Sequence, residues 1–373
     1  MKTLPPVPGS IASLLPYQQG KPIAEVKREL GLSDVIKLAS NECPLGPSPR
    51  AMAAVGAATA DMFRYPDGGG FDLRQALARR HRLDMDNICL GNGSNEIIEM
   101  LCRAFVRPGD YALAASPSFL MYQKLVRVAG GILEEIPLDK DYRIDLKALA
   151  GAVRARVRLV FVNNPNNPAG TVVTRTELKE FLDQIPPGII VVLDEAYIDF
   201  NSDRACARGE EFLNHSVPVV VMRTFSKIAG LAGLRIGYAL ADKEIINYFD
   251  RVRQPFNTSS LAQAAALAAL EDGEFYERHV ALVQNERRRY YDAFTRLGLF
   301  FLPSQANFVL FHLGPRAEDI FKKMLARGVI LRWMGAYNLP EFIRVSIGKP
   351  EENIRCLADL ERILELERVH FKC

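Results

Sequence analysis

The chain is poor in the residues that build metal or disulfide frameworks. Its six cysteines, Cys43, Cys89, Cys102, Cys206, Cys356 and Cys373, lie far apart with no C-x-x-C pair, and its five histidines show no metal-ligand spacing. No structural metal is expected, and a reducing compartment suits the thiols. Long apolar runs are missing too: the most membrane-like stretch, residues 261–270, is Ala-rich, carries Gln263 and falls far short of the ~20 residues that span a bilayer. Near the N-terminus Pro5, Pro6, Pro8 and Pro16 interrupt any signal-like segment, so a cytoplasmic protein is expected. Nor is there a block of one charge sign, with 47 Lys and Arg against 44 Asp and Glu, a formal balance of +3. Nucleic acid is therefore not the expected partner. Repeats and low-complexity tracts are absent as well.

What is present is 373 residues, 49% hydrophobic and 24% charged, enough for a sizeable core and for two domains. Residues 1–40 read as an arm: a Pro-rich start, a helix over 22–30 stopped by Gly31, and an extended stretch over 35–38. Residues 41–49 hold too many prolines for regular structure and read as a loop. From about residue 70, helices (71–82 and 94–106) alternate with short apolar runs at 88–90, 111–115, 157–162, 189–193 and 217–222. Runs of this kind between helices predict parallel strands covered on both faces, hence an α/β domain over 41–255. The last third, 256–373, predicts two long helices (260–273 and 274–297), strands at 307–312, 329–333 and 343–347, a helix over 317–327 and a closing helix from 351 to about 367. That is a smaller α+β domain, with the arm packed against it.

In open parallel sheets ligands sit beyond the carboxyl ends of the strands. Those ends are unusually polar here: Gly91-Asn92-Gly93-Ser94-Asn95-Glu96, Asn163-Asn164-Pro165-Asn166-Asn167-Pro168-Ala169-Gly170, Asp194-Glu195-Ala196-Tyr197, and Arg223-Thr224-Phe225-Ser226-Lys227. Taken singly, each has a plain explanation. Gly91 and Gly93 could form a tight turn with Ser94 as helix cap, residues 167–170 could be an ordinary turn, Asp194 could cap a helix, and a lone Lys227 is commonly a solvated side chain. Their occurrence in order after successive buried strands points to one shared edge.

Together with Lys37-Leu38-Ala39-Ser40-Asn41-Glu42, Arg64-Tyr65-Pro66-Asp67, Gly230-Leu231-Ala232-Gly233-Leu234-Arg235-Ile236-Gly237 and Phe342-Ile343-Arg344-Val345, these segments carry a resemblance over nearly the whole chain. The sequence resembles the fold-type I aminotransferases that use pyridoxal 5′-phosphate, and among them the histidinol-phosphate aminotransferases. The resemblance implies a large domain with a mainly parallel seven-stranded sheet, a homodimer and a covalently held cofactor. Lys227 would form the Schiff base and later shuttle a proton, a task that needs a lysine of lowered basicity. Asp194 would keep the cofactor's ring nitrogen protonated, Asn167 and Tyr197 would bond its phenolic oxygen, and Phe119 would stack on its ring. Its phosphate would be held by Gly93, Ser94 and Asn95 at a helix start, by Thr224, Ser226 and Arg235, and by Tyr65 from a second subunit.

The substrate residues implied in the same way are Asn41, Arg344 for a carboxylate, and Arg332 with Tyr17 for a distal phosphate. The implied reaction transfers the amino group of L-histidinol phosphate to 2-oxoglutarate, with glutamate as product, in histidine biosynthesis. Threonine-phosphate decarboxylase and aromatic amino-acid aminotransferase are rival activities on this scaffold. A regulatory module that binds the cofactor without turnover is disfavoured, because only about forty Pro-rich residues precede the core. Two positions depart from the family pattern: Cys43 and Gly69 stand where relatives commonly carry Asn. Both bear on substrate range rather than on the cofactor.

Overall fold

The computed structural model describes residues 5–16 and 20–370. Strand β1 (Ile36–Lys37) ends the arm, and a large sheet follows, made of β2 (Ile88–Gly91), β3 (Tyr111–Ser116), β4 (Ile132–Pro137), β5 (Val157–Asn163), β6 (Ile190–Asp194), β7 (Val219–Thr224) and β8 (Gly237–Leu240). Its order is β2-β8-β7-β6-β5-β3-β4. Neighbours are parallel except for β8, which runs antiparallel to both β2 and β7. Strands β6 and β7 are buried along their whole length, and β5 everywhere but Arg158. Strands buried on both faces need apolar residues at every position, which is why these read as unbroken runs. Side chains alternate between two layers: Val160, Val191 and Val221 join Leu178, Phe181 and Ala266, whereas Phe161, Val192 and Met222 join Leu101, Tyr122 and Phe249.

The C-terminal part adds β9 (Phe301–Leu302), β10 (Phe308–His312), β11 (Val329–Ile330), β12 (Arg332–Trp333) and β13 (Phe342–Ser346). Antiparallel β12-β13-β10-β9 form a second sheet, while β11 pairs in parallel with β1 of the arm. A third core, including Tyr290, Phe294, Phe308, Met324 and Leu360, binds this sheet to the helices Gly273–Leu297, Ala317–Ala326 and Pro350–His370.

Several elements differ from the sequence reading. The strand expected over 329–333 is two strands in different sheets, because the chain changes partner at Leu331. Pro49, read as part of a loop, opens the helix Pro49–Ala58: Ser48 caps it by accepting from Ala51 N, and proline tolerates the first turn because its missing N–H has no intrahelical role there. The antiparallel β8 is a short run that begins with glycine, and only glycine fits there: a Cβ on Gly237 would lie 2.8 Å from both Arg223 O and Ser94 N. Edge strand β4 was equally hidden, since Ile132 is exposed and Glu134 and Glu135 face outward in part, as suits an unpaired edge. Finally, the helix Ser260–Leu270, which a boundary at 255 places in the C-terminal domain, buries Ala262, Ala265, Ala266 and Ala269 in the large sheet's layer against the helix Pro49–Ala58. Small side chains allow that close approach, and the C-terminal core begins with the next helix, capped by Asp272.

Register brings the chemistry to one edge. Asn163 pairs with Asp194 and Asp194 with Met222, while Gly237 lies between Gly91 and Thr224. Four strand ends therefore open together onto one cleft.

Candidate active site

At that edge is a cavity of ≈ 260 Å³. Its outer end is built by glycine. Gly93 occupies the N-cap of the helix Ser94–Phe105 with φ +69°, and a Cβ there would lie 2.2 Å from Arg235 Nη2. No other residue satisfies both the backbone and the space. Ser94, expected as a possible cap, is instead the first helical residue, so its N–H is one of the unpaired donors of the helix start. Beside it the Thr224 hydroxyl donates to Ser226 Oγ (2.9 Å) and accepts from Ser226 N (3.1 Å), and Arg235 Nη1 approaches Ser226 Oγ at 3.4 Å. Hydroxyls, a guanidinium and a helix N-terminus converge, which is an arrangement for an anion.

The inner end is apolar around one carboxylate. Asp194 is 3% exposed; its Oδ2 accepts from the Tyr122 hydroxyl at 2.6 Å and its Oδ1 from Ala196 N at 3.1 Å. Burial pushes its carboxyl up to about 6, against the downward pull of those two donors and of Lys227. Tyr122 stacks on Phe161 with ring centroids 4.4 Å apart, and Phe119 meets Tyr122 edge-on at 5.6 Å.

Between the two ends lies Lys227. Its Nζ donates to Ser40 O at 3.1 Å, and burial, with Arg344 and Arg235 adding repulsion, brings its amine down to about 8. The Tyr197 hydroxyl accepts from Asn41 Nδ2 (3.0 Å) and, at 3.5 Å, from Asn167 Nδ2. Burial lifts its phenol to about 12, so it keeps a proton that those two amides cannot accept. Arg344, 5% exposed, donates from Nη1 to Asn167 Oδ1 and from Nη2 to Ala39 O at 2.9 Å, while its buried Nε has no protein partner. Asn41 is held at φ +56° by Ser346, whose hydroxyl accepts from Asn41 N and donates to Asn41 Oδ1, both at 2.8 Å, and by Asn307, which donates to Asn41 O at 3.1 Å.

Comparison with known proteins agrees with this geometry. Residues 33–360 match the family model for aminotransferase class I and II. A histidinol-phosphate aminotransferase from Anaeromyxobacter sp. (strain Fw109-5) is 46% identical over 362 residues, covering 97% of this chain and 100% of its own. Another, from Methylobacillus flagellatus, is 44% identical, covering 96% and 97%. The chain belongs to the histidinol-phosphate aminotransferase family of class I and II aminotransferases. Its architecture is that of fold type I: a crystal structure of histidinol-phosphate aminotransferase from Sinorhizobium meliloti, in complex with pyridoxal-5′-phosphate, superposes with a TM-score of 0.90 at 30% identity, covering 97% of this chain and 98% of that one.

For a member of this family, the sequence located most of the cavity wall. Ser94, Asn95, Phe119, Asn167, Asp194, Tyr197, Thr224, Ser226, Lys227 and Arg235 line it, and Gly93, Asn41 and Arg344 touch residues that do. Arg332 is further out: it pairs in register with Arg344 across β12 and β13, and its Nη1 and the Oγ of Ser40, a wall residue, lie 3.9 and 3.6 Å from where a Cβ on Gly20 would sit. Tyr65 is not brought to the cavity within the chain; it is 82% exposed and stacks on Phe256 at 4.7 Å. Tyr17 lies outside the described residues. Sequence reasoning missed Tyr122, Ser346 and Asn307, which act on Asp194 and Asn41 from remote segments. It also passed over the buried pair of Glu195 and Arg223, 2.7 Å apart behind the wall. Alternation along β6 and β7 could have signalled that pair, since each flanks a wall residue.

Proposed function

We propose that this chain uses pyridoxal 5′-phosphate to transfer the amino group of L-histidinol phosphate to 2-oxoglutarate, in histidine biosynthesis. The residues fit the cofactor on three grounds. The Gly93 turn leaves a cradle that a Cβ would fill, Asp194 is a carboxylate that burial has left in want of a cation, and Lys227 is an amine of lowered basicity between them. When bound, the cofactor supplies an electron sink for charge that develops at the substrate's α-carbon.

The chain's own groups would do the rest. Ser94, Asn95, Thr224, Ser226 and Arg235 hold the phosphate through N–H, hydroxyl and guanidinium donors. Asp194 holds a proton on the ring nitrogen by charge. Tyr197, its oxygen already accepting from Asn41 and Asn167, directs its own proton into the cavity toward the phenolic oxygen. Lys227 would hold the cofactor, and its amine of lowered basicity would be placed to move the proton at the substrate's α-carbon. Phe119 covers the ring. Arg344, with a free Nε, receives the carboxylate of glutamate or 2-oxoglutarate.

The substrate reading is carried by one observation: Arg332 and Arg344 are register partners, so their side chains leave the same face of the small sheet beside the cavity. Two guanidiniums on one face provide two points at which anionic groups of a substrate can be received. A substrate pair that presents a phosphate in one half-reaction and two carboxylates in the other supplies such anions. Arg332→Ala is expected to raise KM for histidinol phosphate far more than KM for glutamate. Equal effects would remove the phosphate assignment, and faster turnover of phenylalanine or phosphothreonine by the wild type would favour a rival activity.

The site would be completed across a homodimer. Met62, Phe63 and Tyr65 are 67%, 75% and 82% exposed on one short segment, an apolar surface fit for a second copy. Tyr65 would then reach the phosphate of the neighbouring subunit. Mixed dimers of Tyr65→Ala and Lys227→Ala chains should regain activity that neither parent has; silence after confirmed mixing would argue against sharing.

A further inference from the structure

Tyr122 has a task that burial alone does not explain. It is 1% exposed on the helix Met121–Val128, and its hydroxyl meets Asp194 Oδ2 at 2.6 Å. An ionised carboxylate only accepts, so the phenol donates. The ring cannot swing away, because Phe161 of β5 stacks on its face (interplanar angle 9°) and Phe119 closes its edge (85°). The hydroxyl is thus placed by apolar packing from β5 and from the turn that leads into its own helix, and Asp194 is oriented by a donor whose own position is fixed.

The charge type of this donor matters. A lysine or arginine at this place would neutralise Asp194 and compete with any cationic ligand. A phenol supplies a hydrogen bond and no charge, and burial together with Asp194 pushes its pKa well above that of an ordinary phenol, so that it keeps its proton. The groups facing the carboxylate are Tyr122 from the helix, Glu195 and the Ala196 N–H from its own strand end, and Lys227 from the segment after β7. Burial and Glu195 favour the protonated acid; Tyr122 is the first of the groups that oppose them.

We propose that Tyr122 is the positioning residue that keeps Asp194 ionised and aimed, so that the cavity offers the ring nitrogen of its cofactor a fixed negative charge. This rests on the assignment of the cavity to pyridoxal 5′-phosphate. Tyr122→Phe tests it, because the ring, its stacking and its volume remain while one hydroxyl goes. Dissociation constants for pyridoxal 5′-phosphate, measured by fluorescence on the cofactor-free protein from pH 5 to 8.5, should show affinity in the wild type rising as Asp194 ionises. In Tyr122→Phe the midpoint of that rise should move up by about one pH unit, a factor of about ten in affinity below the midpoint and none well above it. Site-specific 3-fluorotyrosine at 122, a stronger donor, should move the midpoint down. In an Asp194→Asn background, Tyr122→Phe should change neither affinity nor its pH profile.

The inference is overturned if Tyr122→Phe keeps the wild-type midpoint and only melts earlier, or if affinity falls equally at every pH or equally without Asp194. Wild-type protein with no saturable binding of the cofactor would instead bring down the reading of the cavity, and this inference with it. Should Tyr122→Phe not fold, the fluorotyrosine shift decides by its sign.

Discussion

At the outer end of the cavity, short polar side chains and a helix start surround a space that solvent reaches, and Arg235 is itself exposed. At the inner end one carboxylate is sealed beneath Tyr122 and Phe161. The outer end is made by donors and the inner end by exclusion of water, and this sets how each responds to perturbation. Donors near solvent are individually modest and are screened by salt. A buried carboxylate acts at low dielectric, where its charge is costly without a partner and strong with one.

The largest expected effect breaks the inner end. Asp194→Asn should lower turnover by at least about 10³-fold, on the scale of losing preorganised charge at a reacting group. The same variant should stabilise the cofactor-free protein. A carboxyl raised to about 6 from an ordinary 3.8 is held protonated more tightly by the folded state than by the unfolded one. Its cost is absent below about pH 4, grows up to pH 6 and is complete above it, on the order of 3 kcal/mol. Denaturant melts at pH 4 and pH 8 should therefore separate Asp194→Asn from wild type only at the higher pH; a uniform difference would show that burial does not control this end.

Arg235→Ala probes the outer end. Losing a charge-assisted bond worth ~1.5 to 3 kcal/mol should weaken cofactor affinity about 10- to 100-fold, and the wild-type advantage should shrink in high salt. A salt-independent loss would mean that Arg235 is structural rather than a phosphate donor. Lys227, between the ends, should share the inner end's sensitivity with opposite sign. An amine brought down from 10.5 to about 8 is costly below pH 8, and the cost is relieved as pH rises from 8 toward 10.5. Lys227→Met in the cofactor-free protein should hence be more stable than wild type at pH 7 and lose that advantage near pH 10, as read by thermal melts. The smallest effect is expected from Ser346→Ala, which frees Asn41 from two hydrogen bonds far from either end. At about 1 kcal/mol, kcat/KM should fall roughly fivefold with cofactor affinity unchanged; a fall in affinity would place Asn41 in the cofactor's own shell.

The contrast also explains what was legible beforehand. Outer-end residues lie in contiguous motifs, Gly93-Ser94-Asn95 and Thr224-Phe225-Ser226, because a turn and a helix start are local structures. Asp194 was legible for the same reason, as the polar end of an apolar strand. Tyr122 was not: it reads as one more aromatic in an amphipathic helix, and only the parallel pairing of β3, β5 and β6 sets its helix over Asp194. Strand β8 stayed hidden because its starting residue answers to a spatial limit at Ser94 and Arg223 rather than to strand propensity.

By itself the amino-acid order determined the α/β pattern, the buried parallel strands and the polar groups that end them, since periodicity and turn chemistry act over a few residues. The convergence of those ends, the lowered amine of Lys227, the raised carboxyl of Asp194 and the facing of Arg332 and Arg344 were decided by the tertiary structure alone. Burial and register join residues up to about three hundred positions apart, as Asn41 and Ser346 are joined, and no local rule carries information over that distance.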